Sequence, residues 1–215
     1  MLAWHFTDGW KLRDGQPLEV GKTYVFDGKP VMCWCGYHAS EKILDALRYA
    51  PGTVVSRVEC DEITDTNDDK FVCKRRTVLW SMDIEMLLHE FACRCAEHAL
   101  KRYGGDDRSW AAIEVKRKWI RGEATDEELS ASRVAAQDAA RAAWDAAQDA
   151  AWSAAQEAAR SAALDAAWDA AQDAARAAGD SALVAARVAA WDAQNRLLTA
   201  MVTKAHKEGN YELVR

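Results

Sequence analysis

The run Gly36-Tyr37-His38-Ala39-Ser40 places a phenol, an imidazole and a hydroxyl side by side, after a glycine and before a helical stretch. Residues of these types can stack on a ligand and hydrogen-bond to it, and an imidazole can also move a proton near neutral pH. A plainer reading of the same residues is local: Gly36 makes a turn, His38 bonds to nearby backbone, and Ser40 caps a helix from Glu41 to about Tyr49. Three further residues are candidates for ligand contact. Arg108 follows Asp106-Asp107 and precedes Glu114, a charged group whose acids also suit a helix start. Arg141 and Trp144 lie at i,i+3 on one helix face, where a guanidinium and an indole can sandwich a flat base. The ligand-binding candidates are therefore Tyr37, His38, Ser40, Arg108, Arg141 and Trp144; no catalytic residue, metal site or cofactor is assigned.

Other reactive side chains read as structure. His89, Cys93 and Glu97 fall at i, i+4 and i+8, the spacing of a packed helix face. The six cysteines form the pairs Cys33/Cys35 and Cys93/Cys95 with Cys60 and Cys73 between them, none with the CxxC spacing of zinc ribbons. Reduced, mostly buried thiols are expected. The chain of 215 residues has a net charge of −6, which disfavours direct nucleic-acid binding. Aspartates and arginines alternate along the C-terminal half, as in Asp138 with Arg141 and Glu157 with Arg160, which suits a solvated helix better than a mimic of phosphate spacing. No signal peptide or apolar run of membrane-spanning length is read, so the expected setting is cytoplasmic, without membrane contact.

The elements that must position these groups divide the chain in two, giving an α+β protein. Residues 1–80 read as a small mixed α/β domain, with strands at 3–6, 23–26, 31–34, 53–58 and 71–79. Asp27-Gly28 signals a hairpin between the second and third, and the acidic stretch Asp61 to Asp69 reads as an exposed loop. Ile43, Leu44 and Leu47 form the inner face of the first helix. Residues 81–215 read as an all-α, alanine-rich bundle or stack. Ser81 is the expected cap of its first helix, Gly104-Gly105 the stop, and Asp106 or Asp107 the next cap. A second stop falls at Gly122, and Thr125-Asp126-Glu127-Glu128 is a capping box.

From about Ser132 to Ala193 the sequence repeats in tetrads such as Gln-Asp-Ala-Ala and Trp-Asp-Ala-Ala. Alanine favours helix, but four residues advance it by about 400°, so the alanine face drifts roughly 40° per repeat. Such a helix has no fixed apolar stripe and needs neighbours from several directions. Trp144, Trp152 and Trp168 would point around one straight rod, which favours a divided, packed arrangement, with Gly179-Asp180 either a break or a tolerated glycine. A final helix from Ser181 to about Lys204 gains a conventional stripe at Leu197, Leu198, Met201 and Val202.

Residues 87–202 resemble a family of alanine-rich immunity proteins of bacteria and phages. The matching blocks are Phe91 to Glu97, Gly105 to Arg108, Ala112-Ile113-Glu114, Arg121 to Thr125, the Trp-Asp-Ala-Ala tetrads, and Trp191 to Leu197. Serines at 130, 132, 153 and 161 and valines at 184 and 188 depart from its pattern. Leu18 to Tyr24, Cys35 to Ser40 and Asp68 to Cys73 are similar to a small domain of phage proteins that brings no activity with it. The order strand, Gly-Tyr-His-Ala-Ser, helix, strand is also similar to ADP-ribosyltransferases, which require a further acid; Glu59, Glu62 and Asp69 are the available choices. These resemblances imply a non-enzymatic phage protein that neutralises a bacterial defence component, by capping a defence protein or sequestering a nucleotide-like signal. Homo-oligomers through the alanine-rich helices are a further expectation. The alternatives are a transferase using Tyr37 and His38, and a purely structural helical module.

Overall fold

The computed structural model describes residues 1–103, 107–138, 141 and 187–209. Its frame is a long antiparallel hairpin, β4 (Val54–Thr66) and β5 (Phe71–Asp83). The turn is closed by Asn67, whose backbone N–H donates to the Lys70 carbonyl at 2.9 Å while its side-chain oxygen accepts from the N–H groups of Asp69 and Lys70. The acidic stretch expected as a loop is thus strand as far as Thr66. Asp61 stands opposite Arg75, so a cross-strand charge pair supports a segment that its composition alone would assign to a loop.

Three short strands complete the sheet. β1 (Leu2–Thr7) pairs with the free side of β4, and β2 (Thr23–Val25) and β3 (Tyr37–Ala39) share the outer edge of β5. Immediately after β3, Ser40 exchanges both backbone hydrogen bonds with Trp4 of β1, at 2.8 and 3.1 Å. The sheet therefore curls back on itself at this end, and β1 is hydrogen-bonded along both sides there. Two expectations are corrected. Residues 31–34 are a tight turn bridged by Val31 and Cys35, with Cys33 at φ 62°, and the Asp27-Gly28 hairpin does not form. The edge of β5 takes β2 instead, with Tyr24 opposite Arg76.

Alternation sorts the side chains between two faces. The inner face carries Ala3, Val54, Val58, Cys60, Val78 and Tyr24, closed by Leu12, Leu18, Phe71 and Cys73 from flanking segments. The outer face carries Trp4, Phe6, Val55, Trp80 and Met82. A bulge between Arg57 and Val58 keeps Trp80 with the outer set. Helix α1 (Ile43–Leu47) is shorter than expected, and its N-cap position is Lys42, with no side-chain capping bond. Ser40 is spent on the bridge to Trp4 and does not cap it. Ile43 and Leu44 are buried as the pattern requires, and Leu47 is half-buried.

The C-terminal helical stretch, residues 187–207, brings its apolar stripe back to this domain. Leu198, Val202 and Ala205 are buried, His206 stacks on Trp80 with ring centroids 4.1 Å apart, and Asn195 Oδ1 accepts the Leu44 N–H. The chain accordingly forms two compact units, Met1–Phe91 with Gln194–Arg215, and Ala92–Ala193.

Beyond the sheet every described element is helical. Ser81 stays in β5, where its hydroxyl bonds Ser56 at 2.8 Å, so it is not the expected cap. Asp83 takes that place, accepting the Glu85 N–H at 3.0 Å ahead of α2 (Glu85–Tyr103). Helix α3 (Asp107–Ile120) ends at Gly122 with φ 72°, and Glu123 N–H bonds the Lys118 carbonyl in a glycine-type stop. Glu97 of α2 accepts from Arg117 of α3 at 2.7 Å. The capping box forms reciprocally: Glu128 N–H donates to Thr125 Oγ1 and Thr125 N–H to Glu128 Oε2. Most of the alanine tetrads, with Trp144, Trp152, Trp168 and Gly179, lie outside the described residues, as do Asp106 and the Gly104-Gly105 stop.

Candidate functional site

Gly36 fixes how the Tyr37–His38 strand meets β5. It adopts φ 95°, and a Cβ there would sit 2.6 Å from Pro30 Cβ and 2.9 Å from Val72 Cγ2. Only glycine combines that backbone angle with that approach. The tight turn before it presents the Cys33 N–H to His38 Nε2 at 2.9 Å. Nε2 accepts that N–H, so its lone pair is occupied within the turn. A contact with the Gly36 backbone favours the protonated ring. Burial holds its pKa below the usual histidine range, and the charges of Lys70, Arg76 and Arg13 act in the same direction.

The His38 carbonyl is the second junction. It accepts from Arg76 Nη1 at 3.1 Å, and the ring of His5 on β1 also bonds it. His5 is held well below the usual range, first by burial and then by the charge of Arg76. Arg76 is itself only 3% exposed. Its guanidinium carbon lies 4.8 Å from the Tyr37 ring centroid, and its Nε is buried without a hydrogen-bond partner. Beside it the two core thiols form a chain. Cys60 bonds Cys73, and the Cys73 thiol donates to the Tyr37 carbonyl at 3.2 Å. The bond to Cys73 and burial together push the Cys60 thiol far up, while Cys73, its acceptor, moves down.

The site is thus an imidazole held at Nε2, a phenol beside the buried Arg76, and two further cations, Lys70 and Arg13, whose charges act on the imidazole. Lys70 reaches it from the β4–β5 turn, its ammonium 3.8 Å from the centroid of the Tyr49 ring. Among the described residues no carboxylate is hydrogen-bonded to Tyr37 or His38. Of the acids considered for transfer chemistry, Asp69 is engaged by Tyr49 at 2.7 Å and Arg48 at 3.2 Å, and Glu59 and Glu62 are exposed. Among the described residues, no group of three or more His, Cys, Asp or Glu side chains could hold a metal ion.

Of the residues picked from sequence, Tyr37 and His38 share this site. Ser40 is buried next to it and serves the sheet closure. Arg108 is exposed in the first turn of α3, Arg141 is exposed on a helix, and Trp144 lies outside the described residues. Sequence reasoning missed His5 and Arg76. Arg76 belongs to the basic run Lys74-Arg75-Arg76, which reads as a solvated edge, yet it is two residues from the inward Val78 and so points inward by strand parity.

Residues 1–90 match a family described only as a domain of unknown function, DUF7666. That segment contains the whole sheet and the Tyr37–His38 site. Neither the curated proteins nor the solved structures give a match to the chain.

Proposed function

We propose that the chain is a non-enzymatic binding protein that sequesters a nucleotide-like anion at the Tyr37–His38 edge, and so neutralises a bacterial defence component. The observation that carries this reading is the set of charges acting on His38: Lys70, Arg76 and Arg13 are all cations, in a chain whose net charge is −6. A local positive field in an acidic protein attracts an anion, and a phenol beside it supplies a stacking surface. The Cys33 N–H occupies the Nε2 lone pair, which favours binding over catalysis at that nitrogen, because a general base needs a free lone pair. The wider role in defence neutralisation draws on the similarity of residues 87–202 to immunity proteins.

Calorimetric titration of the full chain with a panel of mononucleotides, cyclic nucleotides and dinucleotides tests this. Saturable binding near one ligand per chain, with the ligand recovered intact, is expected. Turnover of a dinucleotide by substoichiometric protein would instead support the transferase alternative, with His38→Ala abolishing it.

Capping of a protein partner is the second reading, and one feature favours it. Trp34 is 84% exposed at the tip of the Val31–Cys35 turn, beside exposed Val31. Large apolar side chains held out on a tight turn are suited to a protein partner's pocket. Under this reading Trp34→Ala abolishes partner capture while leaving nucleotide binding untouched.

A further inference from the structure

We propose that Arg76 is the anchor of a phosphate-binding site inside the curl of the sheet. The inference rests on the Tyr37–His38 edge being a ligand site, and it names the group recognised there and the residue that holds it.

A guanidinium offers five N–H donors in a planar fork. Arg76 uses Nη1 on the His38 carbonyl, has its guanidinium carbon over the Tyr37 ring, and leaves Nε buried with no acceptor. Desolvating a cation is costly without an anion to compensate it. One carbonyl bond and one ring contact are within reach of a neutral side chain such as glutamine, so they do not account for a charge at this position. Among the described residues no carboxylate is paired with it, and the groups whose charges act on it are the Cys60 and Cys73 thiols and the Tyr37 and Tyr24 phenols, with the two neutral imidazoles of His5 and His38 feeling its charge in turn. Cys60 is held in its protonated form.

Nε and an Nη of one guanidinium form the edge that grips two oxygens of an oxyanion at once. Phosphate is favoured over carboxylate because the charges of Lys70 and Arg13 also act on His38, and a dianion answers added positive charge better than a monoanion. Tyr37 lies over the guanidinium and is half-buried, so a ligand reaches Arg76 by displacing its ring.

The second orphaned guanidinium nitrogen provides an internal control. Arg57 Nη1 is also buried without a partner, but Arg57 belongs to the outer face, its guanidinium carbon 4.5 Å from the Trp4 ring centroid.

The test is nuclear magnetic resonance of the arginine Nε–H groups of the ¹⁵N-labelled full chain, titrated in turn with inorganic phosphate, adenosine monophosphate and acetate. The expected result is a saturable shift of the Arg76 Nε–H signal with both phosphate compounds, with acetate at least tenfold weaker and Arg57 unmoved. Saturation by inorganic phosphate at the same concentration as the nucleotide identifies the phosphate alone as the ligand. Saturation at far lower nucleotide concentration shows that the base and sugar add contacts. Arg76→Lys, which keeps the charge but loses the fork, should weaken phosphate binding by at least tenfold, whereas Arg57→Lys should not. An Arg76 signal indifferent to both phosphate compounds overturns the inference. If backbone signals at Tyr37 and His38 shift with nucleotide while Arg76 Nε–H stays still, the phosphate anchor is wrong and the ligand site stands. Acetate binding as tightly as phosphate also overturns it.

Discussion

A methyl group at position 36 has no room: its nearest neighbours, Pro30 Cβ and Val72 Cγ2, are both closer than real Cβ contacts come, and the backbone angle is positive. Gly36→Ala combines strain with overpacking and should destabilise the sheet domain by about 2–4 kcal/mol, measured by denaturant unfolding. A loss below ~0.5 kcal/mol would mean that the turn relaxes freely and does not fix His38. The same residue scale explains what could be read beforehand. Tyr37 and His38 stood out because their types are rare together and a glycine precedes them. His5 and Arg76 did not, because each is one polar residue in an ordinary strand. Their partnership through the His38 carbonyl depends on β1 and β3 closing around β5, a pairing that no local pattern encodes.

At the scale of elements, legibility followed periodicity and caps. The Thr125 capping box, the Gly122 stop and the Leu198–Val202 stripe were plain in the sequence because each is a local rule with a fixed spacing. Thr125→Ala should cost about 1 kcal/mol, read by thermal unfolding, and an unchanged midpoint would show that the box contributes nothing net. Residues 31–34 and 61–66 were misassigned because strand propensity is decided by partners. Val31-Met32-Cys33-Trp34 has strand-like residues and no free ladder beside it, while in β4 Asp61 has Arg75 opposite and Ile63, Asp65 and Thr66 pair with Cys73, Val72 and Phe71. The stripe expected at Leu197, Leu198, Met201 and Val202 is centred on the buried Leu198 and Val202, and its seat on the outer sheet face follows from no local pattern. Leu198→Ala, over a hundred residues away in sequence, should destabilise the sheet domain by about 2–5 kcal/mol. Hydrogen exchange in β1 and β4 reads this directly. Exchange confined to the C-terminal helix would show that the helix is not part of the same cooperative unit.

At the scale of the whole molecule, two histidines are held neutral by burial and by neighbouring cations. Their folded pKa values lie below the ordinary 6.5, so just under that pH the unfolded chain binds more protons than the folded one. Stability is therefore full above about pH 6.5 and falls as pH decreases below it. His5 and His38 are both partly exposed, so each adds less than the full slope of about 1.4 kcal/mol per pH unit, with His5 the larger contributor. His5→Gln should flatten the urea-midpoint profile between pH 7 and 5; an equally steep profile would place the proton uptake elsewhere. No described helix is long and apolar enough to cross a membrane.

The most direct test of sequestration is native mass spectrometry of the full chain recovered from phage-infected bacteria, with the bound species released by denaturation. The account predicts one phosphate-bearing small molecule per chain, chemically intact, and lost when Arg76 is changed to lysine. A chain that carries no small molecule, and consumes a dinucleotide when added to infected-cell extract in substoichiometric amount, would contradict it.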